Sequence, residues 1–212
     1  MAFKSLVLDV DGVLIRDKHL LEHVKHNCVQ YVAKKLPGCK DPARVNRALV
    51  QTVGHTARGL KKFHKIDVSD FNREVYNVPL RTHLWEVLSS TDFQMEAKEI
   101  SELTKRGWRV TLFSNSPIEW TGEVAHAISD EIHVVCPEID GPFKPDMSAY
   151  ADFARHHTHI FIDDTIKNLE TARWLPNWHP VLYSETEQSD WCPTIGSLWE
   201  LGIFTSTVDM EI

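Results

Sequence analysis

Residues 6–14 read Leu6-Val7-Leu8-Asp9-Val10-Asp11-Gly12-Val13-Leu14, and the architecture of the 212-residue chain follows from this stretch. Phe3, Leu6, Val7, Leu8 and Val10 make a short apolar, β-rich run, so residues 3–9 are expected to form a buried strand. The run opens into two acids two positions apart and a glycine that permits a tight turn. Further out, Trp108 to Phe113 is a second such run, leading into Ser114-Asn115-Ser116-Pro117. Ile132 to Val135 is a third, and His159 to Ile162 is a fourth that ends in Asp163-Asp164. A last short strand is expected from Pro180 to Tyr183. Helical patterns separate them at Phe93 to Lys105 (closed by Gly107), Ile118 to Ile128, Met147 to His156 and Ile166 to Trp174.

Strands alternating with helices imply right-handed crossovers and a parallel sheet covered on both faces, an α/β, Rossmann-like class. Ligands in such sheets bind outside the carboxyl ends of the strands. The polar clusters at 9–12, 114–117 and 163–164 all lie at such ends, so distant segments should converge on one crevice. Between the first two strands lies an insertion far longer than a crossover needs. Leu20, Leu21, Val24, Cys28, Tyr31, Val32 and Leu36 recur at helical spacing, and Pro37-Gly38 closes that helix. Further helices are expected over Pro42 to Val53 and Ala57 to His64, with another starting at Ser69-Asp70 and ending before Pro79. The expected organisation is a core of residues 1–15 and 91–212 with a helical cap of residues 16–90.

Composition bounds the function. With 23 Lys+Arg against 30 Asp+Glu the net charge is −7, which disfavours broad capture of long nucleic acid or an anionic membrane; an anionic ligand must be met locally. No apolar run approaches the roughly 20 residues that cross a bilayer, and the amino terminus lacks a signal-peptide pattern, so a soluble, cytoplasmic protein is expected. Cys28, Cys39, Cys136 and Cys192 are scattered, which disfavours a disulfide framework or a cysteine zinc site. His156, His157 and His159 invite a metal reading, but no second cluster stands at ligand spacing. Six aromatics, Trp174, Trp178, Tyr183, Trp191, Trp199 and Phe204, are read as packing on the core rather than as a base-stacking platform.

The strand-end residues carry the chemistry. Asp9 and Asp11 suit a nucleophile beside a general acid/base, or oxygen ligands for a hard divalent cation; alone, the pattern also fits a structural turn. Ser114, Asn115 and Ser116 offer neutral donors for phosphate oxygens, or an N-cap for the next helix. Lys144, in Phe143-Lys144-Pro145-Asp146, could neutralise a phosphoryl group or a nucleophile, where a lysine before proline is otherwise a surface residue. Asp163-Asp164 after a buried strand is costly unless a cation or donors compensate it, or it marks a helix start.

Taken in order, LVLDVDGVL (6–14), TLFSNSP (111–117), FKPD (143–146) and IFIDD (160–164) resemble the four motifs of the haloacid dehalogenase-like superfamily. The resemblance covers residues 3–15 and about 93–183, with the insertion where that superfamily places its first type of cap. It implies Asp9 as the nucleophile that forms an aspartyl-phosphate and Asp11 as the acid/base. It implies Ser114 and Lys144 as holders of the phosphoryl group, with Asn115 and Ser116 beside them. It implies Mg2+ on Asp9, the Asp11 carbonyl and the Asp163-Asp164 pair, with Asp164 favoured as the direct ligand and Asp163 supporting it, a choice left open. Dehalogenases expel halide and have no leaving group to protonate, so an acid at Asp11 favours a phosphatase.

Within the insertion, His55-Thr56-Ala57-Arg58-Gly59-Leu60 and Ile66-Asp67-Val68-Ser69-Asp70-Phe71-Asn72 resemble the cap of the pyrimidine 5'-nucleotidase-like group, and IFIDDTIKNLETA (160–172) its fourth motif with Asn168. That likeness implies nucleoside monophosphates or similarly small phosphate monoesters as substrates. His55, Arg58, Lys61 and His64 are the polar cap candidates, against the plainer reading of a solvated helix face. Two other functions compete: a phosphate- or nucleotide-binding regulatory protein with weak catalysis, and a polynucleotide end phosphatase, which the acidic balance and a roofed crevice disfavour.

Overall fold

The computed structural model describes residues 4–137, 141–153, 155 and 157–201. Six parallel strands form one sheet in the order β3-β2-β1-β4-β5-β6. They are β1 (Lys4–Leu8), β2 (Arg109–Phe113), β3 (His133–Val135), β4 (Thr158–Asp163), β5 (Trp178–Tyr183) and β6 (Thr194–Ile195). β1 sits centrally, its Leu8 level with Leu112 of β2 and Ile162 of β4, so the ends of three strands come out side by side.

Alternation along the strands divides the core. Leu6, Leu8, Val110, Leu112, Ile160 and Ile162 face one cluster, which also takes Phe93, Ala97 and Ile100 of α6 (Thr91–Lys105) and Trp120 and Val124 of α7 (Ile118–Ile128). Val7, Phe113, Phe161 and Leu182 face the other, packed on Leu169 and Ala172 of α8 (Ile166–Arg173) and on Tyr150 and Phe153. A parallel sheet must be covered on both faces, and these two clusters do it. The resulting α/β, Rossmann-like architecture is the expected class.

Five helices fill the insertion: α1 (Lys18–Lys35), α2 (Pro42–Val53), α3 (Thr56–His64), α4 (Val68–Val75) and α5 (Val78–Leu88). Each begins at a side chain that accepts from a backbone N–H of its first turn, namely Asp17, Asp41, His55, Asp67 and Asn77. α1 to α4 share a hydrophobic cluster of their own around Tyr31, Leu49, Leu60 and Phe71. α5 instead sends Leu80, Leu84 and Leu88 into the sheet's larger cluster.

One local expectation needs correction, and two elements, α5 and β6, were not expected. The helix expected to end before Pro79 does so, at Val75, and α5, which was not expected, takes Pro79 into its first turn, where proline's missing N–H costs nothing. The helix expected over Met147 to His156 is a 3-10 turn over Met147–Tyr150 followed by turns, and His156 lies outside the described residues. Its i to i−3 bonds at Ala149, Ala151 and Phe153 place Tyr150 and Phe153 on one side, where both meet Phe113 and Trp178. β6, two residues long, was too short to show any periodicity. Of the late aromatics, Trp178 and Tyr183 are buried, Trp174 and Trp199 are exposed, and Phe204 is outside the described residues. Among the described residues no helix is long and apolar enough to cross a membrane, and all four cysteines are free thiols.

Candidate active site

Asp9 directly follows β1, its backbone N–H donating to the Ile162 carbonyl at 2.9 Å, so the last ladder bond aims it out of the strand end. The chain then turns at Gly12, whose φ of +95° favours glycine. A Cβ there would stand 2.1 Å from Asp164 Oδ2, so the glycine also makes room for that carboxylate. Lys144 reaches the same point from the loop before the 3-10 turn. Its ammonium lies 2.9 Å from Asp9 Oδ1 and 2.7 Å from Asp163 Oδ2, and only 1% of the residue is exposed. It is therefore no surface lysine. The rings of Phe113 and Phe161 flank it at 5.0 and 5.6 Å.

Asn115 holds this lysine in place. Its Oδ1 accepts from the Lys144 backbone N–H at 2.8 Å, and its Nδ2 donates to the Lys144 carbonyl at 3.0 Å. The Asn115 amide thus positions Lys144, and Asn115 also lines the cavity below. Ser114 is buried, and its Oγ accepts from the Ser116 N–H at 3.0 Å.

Three carboxylates, Asp9, Asp163 and Asp164, bring oxygens within 4.8 Å of one another. Lys144 is the cation among them, so three acids and one ammonium leave about two uncompensated negative charges. The electrostatics follow. Burial, and then the Asp163 charge, push Asp9 well above the usual carboxylate range against the pull of Lys144. Burial and Asp163 likewise raise Asp164 to about 6. Burial works against the Lys144 charge, but Asp163 and Asp9 more than offset it and push it up to about 12. Asp163 is committed: it accepts from Thr165 N–H, from Asn168 Nδ2 on both oxygens, and from Lys144. Asp164 accepts a 3.2 Å bond from the Thr165 hydroxyl. An all-oxygen set with a double negative excess fits a hard divalent cation, which Asp9 and Asp164 could hold with Asp163 behind them.

A pH-dependent outcome follows. A carboxyl raised from 3.8 to about 6 favours the folded state while protonated, so its contribution is present below pH 3.8 and is lost as the pH rises through about 6. Without divalent cation, Asp164→Asn should therefore melt increasingly above wild type as the pH is raised from 4 to 7, and added Mg2+ should close the gap. Thermal unfolding of both proteins across that range checks it; a pH-independent difference would show that Asp164 ionises without cost.

Asp11 takes another environment. Ser116 Oγ donates to its Oδ2 and Trp120 Nε1 to its Oδ1 at 3.1 Å. Burial raises its carboxyl, with both donors opposing. Trp120 gave no signal in the sequence beyond lying in the first turn of α7, directly after the 114–117 loop. Tyr76, whose Oη is 3.2 Å from Ser116 Oγ, gave none, because forty residues separate the pair.

The insertion closes over these groups, leaving a cavity of about 910 Å³ lined by Asp9, Asp11, Lys144 and Asp164 on one side and by α1, α2 and α3 on the other. His55 and Arg58 line it; Lys61 and His64 do not. His55 Nδ1 accepts from Ala57 N–H at 3.2 Å, and burial followed by Arg58 lowers its pKa to about 4, so it is neutral. Arg58 pairs with Asp146 and donates to the Val53 carbonyl, tying α3 to the Lys144 loop. Gly54 packs against that loop as well, a Cβ there lying 3.3 Å from the Lys144 carbonyl. His159 is buried against the rings of Phe153 and Trp178, with His157, also buried, beside it.

No family model matches the chain, and no curated protein does. Solved structures do. A predicted phosphatase from Clostridium acetobutylicum shares 13% identity over 98% of this chain and 100% of its own, at a TM-score of 0.62. The L-2-haloacid dehalogenase from Xanthobacter autotrophicus, with chloropropionic acid covalently bound, shares 10% over 96% and 98% at 0.56. The chain has the haloacid dehalogenase-like fold. A hydrolase of the haloacid dehalogenase type from Bacillus subtilis, bound to magnesium, shares 12% over 96% and 99% at 0.51. The haloacid dehalogenase-like fold thus hosts both phosphatases and dehalogenases at this level of similarity, and the distinction rests on the site residues.

Proposed function

We propose that this protein is a Mg2+-dependent phosphatase acting on small phosphate monoesters through an aspartyl-phosphate on Asp9. The observation that carries the reading is Asp11: a carboxyl two residues after Asp9, facing the same cavity, raised by burial and held on both oxygens. Halide expulsion has no use for such an acid. In the first step an Asp9 oxygen attacks phosphorus, the ester P–O bond breaks, and the Asp11 proton goes to the leaving oxygen. In the second, Asp11 takes a proton from water as it attacks phosphorus, and the Asp9 carboxylate leaves with phosphate released.

Lys144 and the Ser114–Ser116 loop face the transferring group, where alignment and charge neutralisation matter most. Asp9 and Asp164 would hold Mg2+, supported by Asp163 and the Asp11 carbonyl; bound there, the ion supplies charge shielding between carboxylate and phosphate. Magnesium on a Bacillus subtilis protein of the same fold supports that choice. The cavity's size suits a nucleoside monophosphate or sugar phosphate, with His55 and Arg58 on its wall. The helical cap over residues 16–90 excludes water and long polymers. A panel of nucleotides, sugar phosphates and p-nitrophenyl phosphate with Mg2+ tests the reading: phosphate release is expected. Its absence, with tight nucleotide binding by calorimetry, would favour a binding protein, and preference for a 3'-phosphorylated oligonucleotide an end phosphatase.

A further inference from the structure

Asp11 is the acid of the proposed reaction, and what orients it includes a residue from the insertion. Its carboxyl cannot rotate freely, because each oxygen accepts from a different donor, Ser116 Oγ and Trp120 Nε1. Ser116 has one hydroxyl proton, and it is spent on Asp11. The Tyr76 hydroxyl, 3.2 Å away, therefore donates to Ser116 Oγ. The Tyr76 ring also meets the Trp120 ring edge-on, at 5.2 Å between centroids and 67° between planes. One side chain thus touches both donors of the acid. Ser116 and Trp120 belong to the sheet side of the molecule, whereas Tyr76 ends α4. Tyr76 also lines two cavities, the catalytic one and a second of about 820 Å³ between α4, α5 and α7. Its ring also packs on the apolar clusters of both the sheet and the insertion, so Tyr76 sits where the two meet.

We infer that Tyr76 is a positioning residue for Asp11, acting through Ser116 and Trp120, so that seating of the helical insertion is read directly at the acid. The inference rests on the phosphatase reading. Its consequence is selective: a misaligned acid slows departure of a poor leaving group and hardly affects a good one, because an alkoxide needs the proton and p-nitrophenolate does not.

The test compares kcat/KM, which reports steps up to transfer of the phosphoryl group to Asp9, for glycerol 2-phosphate and p-nitrophenyl phosphate. Tyr76→Phe, which removes only the hydroxyl, is expected to lose about tenfold on the alkyl ester, the scale of one neutral hydrogen bond, and a much smaller factor on the aryl ester. Ser116→Ala should show the same bias, and the double variant should lose no more than Ser116→Ala alone, because the two act in series. Equal losses on both esters, no loss, or additive losses in the double variant would overturn the role of Tyr76. If Tyr76→Phe does not fold, Ser116→Ala alone decides: absence of the leaving-group bias removes the route. Wild-type protein inactive on both esters would instead overturn the phosphatase reading, and this inference with it.

Discussion

Asp9→Asn is expected to lower phosphate release by about 10⁵-fold, the scale seen when a covalent nucleophile is removed from an otherwise intact site. The amide keeps the shape of the carboxylate but cannot attack phosphorus, while Asp11, Lys144 and the cavity stay in place. Stability should move the other way from activity. In the folded protein Asp9 is held well above the usual carboxylate range by burial and by Asp163, so its charge is a cost at neutral pH that the amide does not carry. The metal-free variant should melt at or above the wild-type temperature. Steady-state phosphate release with Mg2+ and thermal unfolding without it, made on the same preparation, check both halves. Activity near wild type would remove Asp9 from the nucleophilic role. A lowered melting temperature would show instead that its pairing with Lys144 outweighs its burial.

Lys144→Met should produce the largest loss of stability of any single change at the site. The methionine fits the space between Phe113 and Phe161, so packing is nearly preserved, but Asp9 and Asp163 lose the ammonium 2.9 and 2.7 Å away. Removing one partner of a buried ion pair leaves an uncompensated charge and costs about 3–5 kcal/mol. For a chain of this size that corresponds to a fall of roughly 6–20 °C in melting temperature. Adding Asp163→Asn should recover part of the fall, since it removes the charge left without a partner. A melting temperature within about 2 °C of wild type, without divalent cation, would mean that the two acids protonate freely and that Lys144 is not their electrostatic anchor.

Much of this site was legible in the residues. Apolar runs of strand length ending in Asp9-Val10-Asp11-Gly12, Ser114-Asn115-Ser116 and Asp163-Asp164 predict a parallel sheet with its polar groups at one edge, because hydrophobic period and turn chemistry are local properties. Pro79 marked the end of one helix but not the start of α5, because proline ends one helix and begins another equally well, and only the Asn77 cap separates the cases. Asn115 was visible as a polar loop residue but not as the brace of Lys144, a partner twenty-nine residues away. Lys144 looks like a surface residue beside proline until the fold buries it. Tyr76 and Trp120 were not legible at all, since their relation to Asp11 passes through Ser116 and across the junction of insertion and sheet.

From the order of residues alone come the α/β class, the long helical insertion, and the acids, hydroxyls and lysine gathered at the strand ends. These follow from patterns that repeat within a few residues. The shifts of Asp9, Asp11 and Asp164, the donors that Asp163 meets, and the contacts of Tyr76 with Ser116 and Trp120 follow only once the helices are seated on the sheet. Burial and Coulomb interactions depend on neighbours in space, and here those neighbours are separated by up to about 150 residues of chain.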